Sequence, residues 1–317
     1  MQDELARLGI ARVAVIGSGT IGASWAAYFL ARGLAVAASD PAPGGEAFLR
    51  RFVAAAWPVL QRLGAVAPGA DAAALSFHAE PEAAAAGADF VQENAPEREE
   101  LKRALLQRLD RAAAPETVIA SSSSGLLISR LQQGSAHPER MLIGHPFNPP
   151  HLIPLVEVVG GERTAPAAVE RALAFYAAIG KRPIHIRREV PGHVANRLQA
   201  ALWREAVALV ESGVASVADI DAAISEGPGL RWALMGPHLT FHLAGGEGGI
   251  GHFLDQFAAP MQDWWADLGR PALSGELRRK LAEGVADEAA GRDIAALAGR
   301  RDRFLVDLLM LKRNSAG

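Results

Sequence analysis

RVAVIGSGTIGASWAAYFLARGLAVAASD, residues 12–40, is the stretch that decides the fold. Val13 to Ile16 is a short apolar β-run. Gly17-Ser18-Gly19-Thr20-Ile21-Gly22 follows at once and supplies a G-x-G-x-x-G. Ala23 to Ala31 reads as a helix, Gly33 ends it, and a second β-run, Leu34 to Ser39, closes on Asp40. Strand, glycine turn, helix, strand and acid in that order form the dinucleotide-binding fingerprint. Gly17 permits the tight turn. Gly19, without a Cβ, lets the backbone approach a pyrophosphate, and Gly22 lets the helix pack close to the strand. The free N–H groups and positive dipole end of the helix, around Thr20, Ile21 and Gly22, then face the phosphates. Asp40 stands where a carboxylate accepts hydrogen bonds from the adenosine ribose and repels a 2′-phosphate. No Arg follows closely in Pro41-Ala42-Pro43-Gly44-Gly45, so the expected cofactor is NAD rather than NADP.

Outward from this unit, 317 residues allow one large or two ordinary domains. The net charge of −3 gives no electrostatic case for nucleic acid or an anionic membrane as partner. The absence of Cys excludes disulfides, thiolate catalysis and Cys-ligated metals. No apolar run reaches the roughly 20 residues that span a bilayer. The opening MQDELARLGI lacks the basic region and apolar core of a signal peptide, so a cytoplasmic location is expected.

Glu46 to Leu63 has a helical pattern, with Pro58 expected to break or restart it. Short β-runs recur at Leu75–His78, Asp89–Gln92, Thr117–Ser121, Leu142–Gly144, Leu155–Val159 and Pro183–Ile186, separated by helical stretches. This alternation predicts an α/β fold, a Rossmann-type, doubly wound, mainly parallel sheet. The character changes at Val190-Pro191-Gly192, after which the sequence is almost all helical. The expected division is therefore an NAD-binding domain over residues 1–190 and a helical domain over 191–317. Ser216-Val217-Ala218-Asp219 resembles a capping box, and 292–312 can form an amphipathic helix.

A Rossmann domain says which cofactor is held, not which reaction runs. His145 follows a β-run inside the proline-rich His145-Pro146-Phe147-Asn148-Pro149-Pro150, which cannot be helical. Glu157 lies twelve residues later in the apolar run LVEVV. A carboxylate there is costly to bury unless paired. Pairing with His145 resolves that cost and fixes the imidazole tautomer, which makes a general acid–base dyad. A metal site is not expected, because no H-x-x-x-H or acidic cluster accompanies these residues.

GSGTIG, VQENAPEREELK, ASSSSGLLIS, GHPFNPPHLIPLVEVV, VPGHVANRL and GLRWALMGP together resemble the 3-hydroxyacyl-CoA dehydrogenase superfamily over essentially the whole chain. The resemblance implies that His145 and Glu157 remove the proton of a 3-hydroxyl while hydride passes to the nicotinamide. It places the family's substrate-contacting serine on Ser124, although any of Ser121 to Ser124 fits the polar loop. It places the asparagines of the HPFNP and VANRL motifs on Asn148 and Asn196, and the nicotinamide-ribose contacts on Glu97 and Lys102. The family is generally dimeric, which suits the apolar helices after Gly192.

The acyl-CoA branch carries a lysine-rich helical hairpin after the second strand. Here only Arg50, Arg51 and Arg62, and no Lys, lie between Asp40 and Asp89. DPAPG, AAAWPVLQRLG, AALWREAVALVESGVAS and LAGGEGGIGHFLDQF resemble the free-acid branch, first its L-carnitine 3-dehydrogenases. NPPHLIPLVE, VANRLQ and SEGPG resemble the L-gulonate 3-dehydrogenase and lambda-crystallin group. The expected activity is oxidation of a small L-3-hydroxy acid, with L-carnitine first. The alternatives are L-gulonate, a 3-hydroxyacyl-CoA and a non-catalytic, crystallin-like NAD-binding role. A free acid needs a cationic anchor, for which Arg231 is the candidate. A quaternary ammonium needs aromatic faces, for which Phe253 and Trp232 are the candidates beside Trp264 and Trp265. His193, His242 and His252 are further polar candidates for lining the site.

Overall fold

In the computed structural model, which describes residues 2–314, the chain divides between Asn196 and Arg197 into two compact units. The first unit alternates strands and helices. Its elements are α1 (Gln2–Leu8), β1 (Arg12–Ile16), α2 (Thr20–Ala31), β2 (Ala35–Ser39), α3 (Gly45–Arg62), β3 (Leu75–His78), α4 (Pro81–Ala85) and β4 (Phe90–Glu93). Then come α5 (Glu99–Ala112), β5 (Val118–Ser121), α6 (Ile128–Leu131), β6 (Met141–Pro146), β7 (Leu155–Gly160), α7 (Pro166–Ala178) and β8 (Arg182–Ile186). One eight-stranded sheet runs in the order β3-β2-β1-β4-β5-β6-β7-β8. All neighbours pair parallel except β6 and β7, which are antiparallel. The expected mainly parallel, doubly wound sheet is present.

The sequence period explains the two covered faces. Val13 and Val15 of β1 join a core with Trp25, Phe29, Phe90, Phe175 and Tyr176. Ala14 and Ile16 point the other way, into a core with Val91, Leu106, Leu109, Ile119 and Met141. Side chains alternate across a strand, and a strand covered on both faces is apolar throughout. The chain leaves β1 on one side and enters β4 on the other, so the order reverses between them. In such sheets the crevice at the carboxyl ends of the strands holds the ligand.

Pro58 does not break its helix. α3 runs unbroken for 18 residues with Pro58 inside it. A helical proline costs about 3 kcal/mol. Leu49, Val53, Ala56 and Leu60 are buried along one face, and that packing outweighs it.

The second unit is helical: α8 (Ala195–Glu211, whose first residues belong to the first unit), α9 (Val217–Ser225), α10 (Pro228–Trp232), α11 (Pro237–Ala244), α12 (Gly249–Asp267), α13 (Gly275–Ala289) and α14 (Ile294–Asn314). Ser216 caps α9 by accepting the Asp219 N–H at 3.1 Å, and its hydroxyl donates to the Asp219 carboxylate at 2.6 Å. This is the expected box with the side-chain partner rearranged. The unit leaves many large apolar side chains exposed, among them Leu198, Trp203, Trp264 and Trp265. Among the described residues no helix is long and apolar enough to cross a membrane.

Candidate active site

The glycine turn has the geometry its spacing predicts. Gly17 sits at φ +88°, where its amide donates to the Ser39 carbonyl at 2.8 Å. A Cβ on Gly22 would lie 1.8 Å from the Gly17 carbonyl oxygen, and one on Gly17 would lie 2.9 Å from the Asn94 backbone. Both glycines are therefore required by packing. Gly19 differs, because a Cβ there meets no atom within 4 Å. The turn keeps that space clear at the N-terminus of α2. Asp40 braces the turn, accepting the Ser18 N–H at 2.6 Å and the Ala42 N–H at 2.8 Å. A cavity of about 830 Å³ opens here, lined in part by Gly17, Gly19, Asp40, Asn94 and Arg108. These features fit NAD: open backbone for the pyrophosphate, a helix N-terminus and a carboxylate at the ribose position. Arg108 is close only in space, far from the glycine turn along the chain. Its guanidinium pairs with Glu80 at 2.9 Å and Glu82 at 2.7 Å, which neutralises it and leaves the NAD expectation intact.

His145 and Glu157 face each other directly in the antiparallel pair of β6 and β7. The strand extends through His145 and Pro146, so the histidine belongs to the strand end rather than to a loop after it. The His145 Nδ1 lies 2.8 Å from Glu157 Oε2. The other carboxylate oxygen accepts the N–H groups of Val194 at 3.0 Å and Ala195 at 2.8 Å, where α8 begins. Burial pushes the Glu157 carboxyl up, but the hydrogen bonds from His145, Ala195 and Val194 outweigh it and hold it below the usual range. Glu157 is therefore an ionised acceptor, and His145 Nδ1 carries the proton. In the neutral imidazole Nε2 is then the acceptor. These bonds tie the start of α8, as far as Asn196, to the first unit.

The serine loop resolves into four different environments. Ser121 donates to Glu93 at 2.5 Å, Ser122 to Asn94 at 2.7 Å and Ser123 to Glu97 at 2.6 Å. Ser124 is exposed, and its hydroxyl has no partner among the described residues. Its backbone is held twice. The Ser124 N–H donates to Glu97 at 2.9 Å, and its carbonyl accepts Asn196 Nδ2 at 3.1 Å. Burial raises the Glu97 carboxyl, but the Ser123 hydroxyl, the Gly125 and Leu126 amides and the Lys102 charge bring it below its ordinary value. Lys102 is buried. Only 1% exposed, it bonds both oxygens of the buried Glu93 at 2.9 and 3.0 Å and stands 3.8 Å from Glu97. Glu93 was missed because a Glu at a strand end carries no sequence signal.

Asn148 is exposed and precedes a cis peptide bond to Pro149. His193 lies beside His145, with ring centroids 5.3 Å apart. Thus His145 and Glu157 form one set, Ser124, Asn196, Glu97 and Lys102 a second, and both reach the chain segment 194–196 of the first unit. Arg231, Trp232 and Phe253 lie in the second unit. Arg231 and Trp232 are exposed on α10. Phe253 is buried, with its ring stacked against Phe241 at 4.7 Å and Phe257 at 5.0 Å. A cation-binding face on Phe253 is therefore not presented; aromatic residues at helical spacing pack on one another first.

Comparison with known proteins gives the family. Residues 12–190 match the 3-hydroxyacyl-CoA dehydrogenase NAD binding domain, and residues 192–288 match the C-terminal domain of the same enzymes. The chain is 55% identical to the L-carnitine dehydrogenase of Streptomyces griseus, over 95% of this chain and 89% of that protein. It is 49% identical to the L-carnitine dehydrogenase of Pseudomonas putida, over 95% of this chain and 94% of that one. Among solved structures, an NAD+-dependent 5-formyl-3-hydroxy-2-methylpyridine 4-carboxylic acid 5-dehydrogenase superposes with a TM-score of 0.84 at 34% identity, covering 96% of this chain and 99% of that one. With both domain models matched in sequence order and the His–Glu pair in register across two strands, the chain belongs to the 3-hydroxyacyl-CoA dehydrogenase family, as an NAD-dependent oxidoreductase.

Proposed function

We propose that the protein oxidises the 3-hydroxyl of L-carnitine to give 3-dehydrocarnitine. The observation that carries the reaction is the His145–Glu157 pair, with Nδ1 of the imidazole committed to the carboxylate. The similarity to L-carnitine dehydrogenases, 45–55% identical across nearly the whole chain, supports the substrate.

NAD, when bound at the glycine turn, supplies the acceptor for the hydride leaving C3. Every other step belongs to the chain. His145 Nε2 takes the hydroxyl proton as the C3–O bond becomes a carbonyl. Glu157 stays ionised and stabilises the imidazolium that forms. Ser124, whose hydroxyl is the unengaged one of the four serines, donates to the substrate oxygen, and Asn196 fixes the Ser124 carbonyl from behind. Glu97 and Lys102 hold the nicotinamide side of the site, with Asn148 beside it. Arg231 pairs with the substrate carboxylate, and Trp232 offers the aromatic face to the ammonium.

Residues 1–190 hold the cofactor, and 191–317 hold substrate and a second copy of the chain. The exposed apolar side chains of the helical unit support a homodimer, which light scattering tests. We place the enzyme in the cytoplasm.

The test is the initial rate of NADH formation at alkaline pH with L-carnitine, L-gulonate and L-3-hydroxybutyryl-CoA side by side. Preference for L-carnitine is expected. Preference for either of the others removes the substrate assignment and leaves the dyad standing. NAD binding without turnover of any hydroxy acid removes the catalytic reading.

A further inference from the structure

His193 is the residue of the site that no step above uses, and its surroundings are unusual in four respects. It has φ +51°, a left-handed conformation that few residues with a side chain adopt. Its side chain is buried, at 1% exposure. Its Nε2 lies 3.0 Å from the Ser123 carbonyl oxygen. Its Nδ1 is buried without any hydrogen-bond partner.

Together these fix its chemical state. A carbonyl only accepts, so Nε2 carries the proton. A second proton would sit on Nδ1, buried, unpaired and beside the ring of His145. Burial and the neighbouring His145 hold the imidazole below its ordinary pKa, against the opposing pull of the Ser123 carbonyl and of Glu157 and Glu97. His193 is thus a neutral donor beside a ring that must become positive during turnover.

Its position explains why such a donor stands there. Gly192 and His193 both lie in the left-handed region and turn the chain into α8. The next two amides, of Val194 and Ala195, then meet Glu157. The His193 side chain meanwhile reaches the serine loop one residue before Ser124. One residue therefore touches both halves of the machinery: its backbone leads into the amides that hold the dyad, and its imidazole pins the loop that presents the serine.

We propose that His193 is a positioning residue that couples the Ser123–Ser124 loop to the His145–Glu157 pair through its neutral Nε2–H donor. This rests on the reading that Ser124 contacts the substrate oxygen. His193 acts on turnover through Ser124, not by exchanging a proton with substrate.

The test is a set of variants assayed with L-carnitine, or with whichever compound of the panel above is oxidised fastest. His193→Phe keeps a ring and removes the donor, and should lower kcat about 10-fold, the size of one lost hydrogen bond, with KM little changed. His193→Gln keeps a donor at similar reach and should restore kcat to within about 3-fold of the wild type. Ser124→Ala should lower kcat by itself. In the Ser124→Ala background, His193→Phe should cost less than about 2-fold more. NAD affinity, measured by titration calorimetry, should stay unchanged in all of them. If Phe is not tolerated at the left-handed position, His193→Gly, which adopts it freely, takes its place with the same expected loss.

A Ser124→Ala variant with full kcat overturns the serine reading and the coupling with it. A Ser124→Ala variant that loses kcat, combined with a His193→Phe that does not, or with losses that simply multiply, overturns the coupling alone. Equal losses in His193→Gln and His193→Phe that track a fall in Tm also overturn it, because packing rather than the donor is then at work.

Discussion

Replacing Glu157 by Gln should disable His145 without moving it. Gln has the same shape, but one of its two ends is a donor. The two ends of Glu157 are not equivalent. Oε1 accepts two backbone amides, of Val194 and Ala195, and Oε2 faces His145 Nδ1 at 2.8 Å. In Glu157→Gln the amide oxygen must stay with the backbone amides. The opposite orientation would set an NH2 against two N–H groups and lose both bonds, at about 1–3 kcal/mol each. The NH2 therefore faces His145 Nδ1, which can only accept it. The imidazole proton moves to Nε2, and the nitrogen that should take the substrate proton is blocked. The charge that stabilises the imidazolium is lost as well. A fall in kcat of about 10³–10⁴-fold is expected, the size seen when an acid–base histidine is locked in the wrong tautomer. The assay is steady-state NADH formation, with NAD affinity measured separately and expected to be unchanged. A Glu157→Gln enzyme within 10-fold of the wild type would refute the tautomer reasoning.

Gly19→Ala should fold normally, because its Cβ meets nothing within 4 Å, yet weaken NAD binding measurably by calorimetry. Gly22→Ala should fail at folding, seen as a large loss of Tm, since its Cβ would sit 1.8 Å from the Gly17 carbonyl oxygen. Gly144→Ala puts a Cβ 2.1 Å from the Tyr176 hydroxyl, which itself donates to Gln92 at 2.6 Å. It should cost at least about 1–3 kcal/mol in denaturant unfolding. Adding Tyr176→Phe should recover part of that loss, so the two changes combine to less than their sum. The Asp110 carboxyl is raised by burial, but Arg140 at 2.9 Å and the amides of His137 and Ala136 outweigh this and bring it below 3.8. A depressed carboxyl stabilises the fold above its unfolded pKa and loses that contribution as pH falls through the folded one. Asp110→Asn should therefore cost about 3–5 kcal/mol at neutral pH. Its gap to the wild type should narrow only below about pH 4.

By itself the sequence determined what depends on near neighbours. The glycine turn, the helix after it and Asp40 are written within residues 12–40, because the turn, the helix N-terminus and the acid act over a few residues of chain. The β–α alternation gave the sheet, since side-chain period is a local property. The dyad was legible because an acid in LVEVV needs a partner, and His145 was the near candidate.

Tertiary structure decided the rest. Pro58 stays helical because four buried residues of α3 hold it to the core. Ser124 differs from its three neighbours because Glu93, Asn94 and Glu97 engage the hydroxyls of those three. Lys102 pairs with Glu93 across a strand and a helix, and Phe253 turns inward against Phe241 and Phe257. His193 acquires its place from Ser123, seventy residues earlier. Each of these rests on which distant group a side chain meets, and that partner is set by the packing of the whole unit rather than by the residues beside it in the chain.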